Sequence, residues 1–291
     1  MRINSEAVII ACFTWALSMG ASAETVVGVT LHPYFSWTKN IVAGTDVQVR
    51  AILPGEVDAG SYQPSPEDIR KLADIDAIVV NGLGHDDFIF DMIMASGNKG
   101  VLFIRPNDGA PLIAGARGGS ANSHTFISFT NAIQQSYTIA RELATIAPEH
   151  SERFRANARE YARRLRKIKG EAAQELVAPK THRVVTVHDG YSYLLQEFGI
   201  ELAGVVEPAH GLVPSAAELQ SVIDLLRGED VRVIYTEERF PDALLRVLDD
   251  ASAARVYRLS HIATGEYTAE KFETEMHENA RVLVRSLAAA R

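Results

Sequence analysis

Short apolar runs bounded by Gly and Pro alternate along this chain with amphipathic segments of helical spacing. Val26 to Leu31, Val47 to Leu53, Ala77 to Val80 and Val101 to Ile104 read as strands. Between them, Tyr34 to Val42, Pro66 to Ala73 (with Ser65 as N-cap) and Asp86 to Ala95 read as helices. Runs of Val and Ile bounded by Gly and Pro and interleaved with helices indicate parallel sheets. The same alternation resumes at Val184. Between the halves, Phe154, Ala158, Tyr161, Leu165, Ile168, Ala172 and Leu176 recur at three- and four-residue intervals, the mark of one helical face, and Pro179 ends the pattern. The pattern predicts an α/β protein of two βα domains with mostly parallel sheets joined by one long connecting helix. The N-terminal domain is expected over 24–145, the connector over 146–179 and the C-terminal domain over 180–291.

The first 23 residues change the picture of where the chain works. Arg2 precedes an apolar stretch from Ala7 to Met19, and Ala21-Ser22-Ala23 follows, the pattern of a signal peptide cleaved on export to the periplasm. Ile9-Ile10-Ala11-Cys12 loosely fits a lipoprotein box. Cleavage there would leave almost no apolar core before Cys12, so lipidation is the weaker reading. Cys12 is the only cysteine and is expected to leave with the signal, so metal binding must rest on imidazole and oxygen. A net charge of −8 without a basic patch argues against nucleic acid and anionic lipid as partners.

Candidate chemistry gathers at the strand ends. Five strand-like runs stop at or beside a histidine: Val26 to His32, Ile75 to His85, Val184 to His188, Leu202 to His210 and Arg255 to His261. With 9 histidines in 291 residues, chance does not readily put five there. In α/β folds the carboxyl ends of parallel strands converge on one crevice, so these side chains are candidates for a shared metal site between the domains. Asp58, Asp86, Asp189, Glu207, Glu237 and Glu238 are nearby oxygen donors. Neutral imidazole suits zinc, copper, nickel or iron, whereas manganese favours oxygen. The plainer reading of a lone strand-end histidine is a hydrogen-bonded loop residue, and it weighs most at His32 and His261. His150, His182 and His277 read as surface residues, and Asp86-Asp87 as helix starters.

Several ordered motifs then point to a family. His124-Thr125-Phe126-Ile127 is followed by Asn131-Ala132 and Ile139-Ala140. With them stand Ser61-Tyr62-Gln63-Pro64-Ser65-Pro66-Glu67-Asp68, Asn81-Gly82-Leu83-Gly84, His188-Asp189-Gly190-Tyr191-Ser192-Tyr193 and Pro214-Ser215-Ala216-Ala217-Glu218-Leu219. Together they resemble the periplasmic zinc- and manganese-binding proteins of ABC importers, over essentially the whole mature chain. The resemblance implies a metal cleft between two small α/β domains, with ligands at His124 and His188. Two further family positions differ, for Gly60 stands where a histidine is usual and Ser260 where a carboxylate is usual. His85, His210, His32 and His261 are the candidate replacements. Some zinc-binding relatives carry a histidine-rich loop near 107–123, but here that segment is Gly- and Ala-rich. The expected protein is a monomeric, non-enzymatic receptor that delivers a divalent ion, Zn2+ by its donor chemistry, to an ABC permease. Two alternatives are a receptor for a chelated metal or small organic ligand, and a metal-dependent hydrolase with Glu237 or Asp189 as base. No His-Glu-x-x-His spacing supports the hydrolase.

Overall fold

The computed structural model describes residues 24–115, 120–176, 183–207, 214–228, 231–237 and 240–290. The expected signal peptide with Cys12, the connector's end at 177–179, and His182, His210 and Glu238 lie outside the described residues.

In the N-terminal half, β1 (Val26–Val29), β2 (Gln48–Ala51), β3 (Ala77–Val79) and β4 (Leu102–Ile104) form one parallel sheet in the order β2-β1-β3-β4. Val27 of the central strand stands opposite Val49 on one side and Ala77 on the other. Every residue of β1 and β3 is buried, which is why these runs show no polar alternation. The chain returns through α1 (His32–Ile41), α2 (Pro66–Arg70) and α3 (Phe88–Ser96). Ser65 starts α2 with a capping box: its hydroxyl accepts from the Asp68 amide, and the Asp68 carboxylate accepts from the Ser65 amide. Helix α1 begins at His32, earlier than the pattern predicts, because Pro33 suits a first turn.

Helix α4 (Phe129–Ile146) packs along α5 (Ser151–Glu175), the long helix expected from the apolar spacing. Phe154, Ala158, Tyr161, Leu165 and Ala172 are buried along one face of α5.

The C-terminal half repeats the plan. β5 (Arg183–Thr186), β6 (Glu201–Val205), β7 (Val233–Thr236) and β8 (Arg255–Arg258) pair in parallel in the order β6-β5-β7-β8. Connecting helices are α6 (Ser192–Glu197), α7 (Ala216–Gly228) and α8 (Asp242–Ala251). Val185 and Ile234 pack with Val222, Ile223, Leu245 and Leu248 in a small outer core. Val184, Val233 and Tyr235, on the other face of the same strands, join the main core. The last helix, α9 (Lys271–Ala289), crosses back onto α1 and α5, with Phe272 edge-on to Trp37 at 5.1 Å between ring centres. One hydrophobic core therefore runs through both halves and the connecting helix. Each sheet changes direction once, between β1 and β3 and between β5 and β7, and such switch points open a crevice at the carboxyl ends of the strands.

Candidate metal centre

Segments from both crevices meet at one place. His124, His188 and His261 are buried there, with ligand atoms within 4.8 Å of one another. Nε2 of His124 lies 3.1 Å from Nε2 of His188. Two donors each about 2.1 Å from one ion stand roughly 3.0 to 3.4 Å apart, so this pair can share an ion without rearrangement. The His261 ring centre is 4.7 Å from that of His188 and 5.2 Å from that of His124.

Each ring is held by a different local device. The Asn122 side-chain oxygen accepts from the His124 amide at 2.9 Å and lies 2.9 Å from its Nδ1. That bond places the imidazole proton on Nδ1 and leaves the Nε2 lone pair facing His188. His188 follows β5, and its ring lies against the backbone of its own turn. A β-carbon at Gly190 would stand 2.3 Å from its Cε1, so any other residue there would push the His188 ring out of this position. The Asn122 side-chain amide also donates to the Asp189 carbonyl at 2.7 Å, tying the His124 loop to the His188 loop.

His261 follows β8 on a tightly fastened turn. The Ser260 amide donates to the Asn279 side chain at 2.7 Å, and Asn279 donates back to the Ser260 carbonyl at 2.8 Å. Ser260 Oγ accepts from the Ile262 amide at 3.0 Å and donates to Glu275. Tyr191 donates to the Leu259 carbonyl at 2.8 Å. Between these bonds Ile262 holds a φ of 56°, a left-handed conformation costly for a β-branched residue and kept only where surroundings over-determine it. Ser260 thus serves as a fastener of the turn that presents its neighbour.

His85 lies beside the cluster, its ring centre 5.2 Å from His124, 5.1 Å from Phe126 and 6.4 Å from His261. Its turn is organised by Asp86, fully buried, which accepts from the Asn81 amide at 2.9 Å, the Gly82 amide at 3.3 Å and the Thr30 hydroxyl. Burial pushes the Asp86 carboxyl up, opposed by these hydrogen bonds. Asp86 is therefore a brace of the His85 turn rather than a helix starter. Asp87 takes the N-cap position of α3 but makes no capping bond, accepting instead from the Gly84 amide.

His32 stands apart. Its Nε2 lies 3.1 Å from the Gly55 carbonyl, and its ring stacks on Tyr267 at 3.8 Å and 11°. Burial lowers its pKa to about 4. His150 pairs with Asp46 at 2.6 Å, and His277 is exposed on α9.

Two carboxylates face the cluster. Asp58 Oδ2 is 3.5 Å and Glu237 Oε2 3.8 Å from Nδ1 of His261, while Asp58 Oδ1 is 3.9 Å from Nε2 of His85. Beside them opens a cavity of about 830 Å³ lined by Glu56, Asp58, Glu207, Glu237 and His261. Asn122, Gly190 and Asn279 escape a reading aimed at donors, since each acts on a ligand's orientation. Only Gly190, inside a quoted motif, carried any signal.

Over residues 27–286 the sequence matches the family described as zinc-uptake complex component A, periplasmic (ZnuA). The chain belongs to that family. Its members are solute-binding proteins of metal-uptake systems, not enzymes. The solved structure of the solute-binding protein FpvC from Pseudomonas aeruginosa in complex with Mn2+ is 40% identical, with a TM-score of 0.87, covering 92% of this chain and 100% of that one. A second structure of FpvC holds Ni2+. The high-affinity zinc uptake system protein ZnuA of Bacillus subtilis is 23% identical over 79% of each chain. The zinc-binding protein AdcA of Streptococcus pyogenes is 23% identical over 85% of this chain and 53% of its own, so the chain spans about half of that relative. Among the described residues no helix is long and apolar enough to cross a membrane.

Proposed function

We propose that this protein captures a divalent metal ion outside the cytoplasm, zinc first among them, and hands it to an ABC permease. The observation that carries this is the trio His124, His188 and His261, three buried imidazoles with ligand atoms within 4.8 Å, drawn from both halves of the fold. Imidazole nitrogen without thiolate is a donor set that zinc accepts, and ZnuA and AdcA relatives are named for zinc. Export by cleavage after Ala23 and action as a monomer complete the reading. His85 stands close enough to take part. His32 serves the packing of α1 against the Tyr267 loop.

Competition titration against a chromogenic chelator tests this reading. His124→Ala is expected to lower zinc affinity at least tenfold, about 1.4 kcal/mol. Unchanged affinity there and in His188→Ala would remove the site. A second reading draws on the 830 Å³ cavity beside His261, a volume suited to a small organic molecule, and makes the ligand a metal chelate. Tighter binding of a chelated metal than of the bare ion would favour it.

A further inference from the structure

Resting on that reading, the arrangement around the three histidines says more about which ions the site takes. Each half of the fold supplies two imidazoles and one carboxylate. The N-terminal half brings His85, His124 and Asp58, and the C-terminal half brings His188, His261 and Glu237. We infer that these two triads close face to face into one six-donor shell of four nitrogens and two oxygens, so that the cargo class includes octahedral ions, divalent nickel, cobalt and iron, alongside zinc.

Distances support closure. Two donors on one ion stand at most about 4.3 Å apart, twice a metal–ligand bond. His124 to His188 at 3.1 Å, His261 to Asp58 at 3.5 Å, His261 to Glu237 at 3.8 Å and His85 to Asp58 at 3.9 Å all fall within it. Only His124, His188 and His261 have ligand atoms all within 4.8 Å of one another; Asp58 and Glu237 reach the trio through His261, and His85 through Asp58, so these three donors move inward when the shell closes. Asp58 is fixed for this part, because its Oδ1 accepts from the Gly60 amide at 2.9 Å as the cap of a short 3-10 turn while Oδ2 faces His261.

Gly60 explains how His85 comes to be there. A β-carbon at position 60 would stand 3.0 Å from Cε1 of His85 and 3.4 Å from Oδ1 of Asp58. A side chain at 60 and the His85 ring compete for one space beside the cluster, and in this chain the ring has it.

Charge points the same way. Three or four neutral imidazoles leave a buried divalent ion with its full charge, and a buried uncompensated charge is costly. Asp58 and Glu237 together bring the assembly to neutrality. A tetrahedral zinc shell needs only four donors, whereas a two-histidine, one-carboxylate face is a known preference of iron and imidazole-rich sites suit nickel.

Cobalt reads coordination number directly, since six-coordinate Co2+ absorbs weakly in the visible and four-coordinate Co2+ absorbs strongly. The purified full-length protein, loaded with Co2+ alone, is expected to give the weak spectrum. His85→Ala, Asp58→Asn and Glu237→Gln should each strengthen it and lower Ni2+ affinity at least tenfold, about 1.4 kcal/mol, with a smaller loss for Zn2+. Circular dichroism and apo-protein melting identify any variant that misfolds, and the three substitutions give independent readings. An intense wild-type spectrum would overturn the inference, as would Ni2+ affinity unmoved in all three variants. If His124→Ala still abolished binding in that case, the three-histidine reading would stand, with the carboxylates as hydrogen-bond partners of the imidazoles. Unchanged binding in His124→Ala would overturn both.

Discussion

His32 and His261 follow strands β1 and β8 in the same way, and both are buried, yet their surroundings give them opposite uses. His261 sits on a turn fastened by Asn279, Ser260 and a left-handed Ile262, and its ring faces His188, His124 and two carboxylates. His32 is in the first turn of α1, its Nε2 against the Gly55 carbonyl and its ring flat on Tyr267. One neighbourhood is rich in groups that attract a cation. The other is sealed, and His32 Nδ1 has no hydrogen-bond partner among the described residues. A strand-end histidine therefore becomes a ligand or a packing residue according to what the next turn and a distant loop set against it.

The sharpest way to separate the two regions is to remove donors from one and compare the other. The double variant His188→Ala, His261→Ala is expected to lose at least a thousandfold in zinc affinity, about 4 kcal/mol, while His32→Ala stays within about threefold of the parent. Calorimetric titration of each purified protein makes the comparison. An equal loss in His32→Ala would erase the distinction drawn here.

Protonation separates the regions next. Burial holds the His32 pKa at about 4, below the unfolded value near 6.5. As pH falls from about 6.5 to 4, the unfolded chain takes up a proton that the folded chain refuses, so stability is full above that window and is lost within it. The shift corresponds to at most about 3.5 kcal/mol, at roughly 1.4 kcal/mol per pKa unit. Denaturant unfolding of the apo protein at pH 7 and pH 4.5 should show the gap between parent and His32→Gln shrinking by an amount of that order. Parallel falls in the two proteins would mean that His32 takes its proton without cost to the fold.

How far these features could be read beforehand follows from their range along the chain. β1, β3 and α5 are legible because burial imposes an unbroken apolar run or a helical stripe on consecutive residues. Helix α4 is less so, since Asn131, Gln135, Ser136 and Thr138 lie on its buried face and break the apolar period. At the site, strand ends mark where histidines gather. They do not say which ring turns inward, because that depends on Asn279 from α9, on Tyr267, and on Asp58 from a loop more than two hundred positions from His261. Asp86 misleads for the same reason: its partners Thr30 and Asn81 are on the ends of two strands, out of sight of a helix-start rule.

The smallest expected effect tests how finely the ligand region is held. Asn122 touches no ion in the proposed site. Its side-chain oxygen fixes the His124 ring through Nδ1, and its amide reaches the Asp189 carbonyl beside His188, so one side chain aligns ligands from both halves. Partners of this kind typically cost ten- to a hundredfold in metal affinity when removed, and Asn122→Ala is placed at about tenfold because His124 keeps its packing against Phe126. Asn122→Asp keeps an acceptor for Nδ1 and gives up only the donor to Asp189. It should therefore retain most of the affinity that Asn122→Ala loses, with apo melting temperatures alike in the two variants. If the two lost affinity equally, the bond across to Asp189 would matter and the tautomer would not. If neither lost any, the His124 ring would be aligned by packing alone, as His32 is against Tyr267.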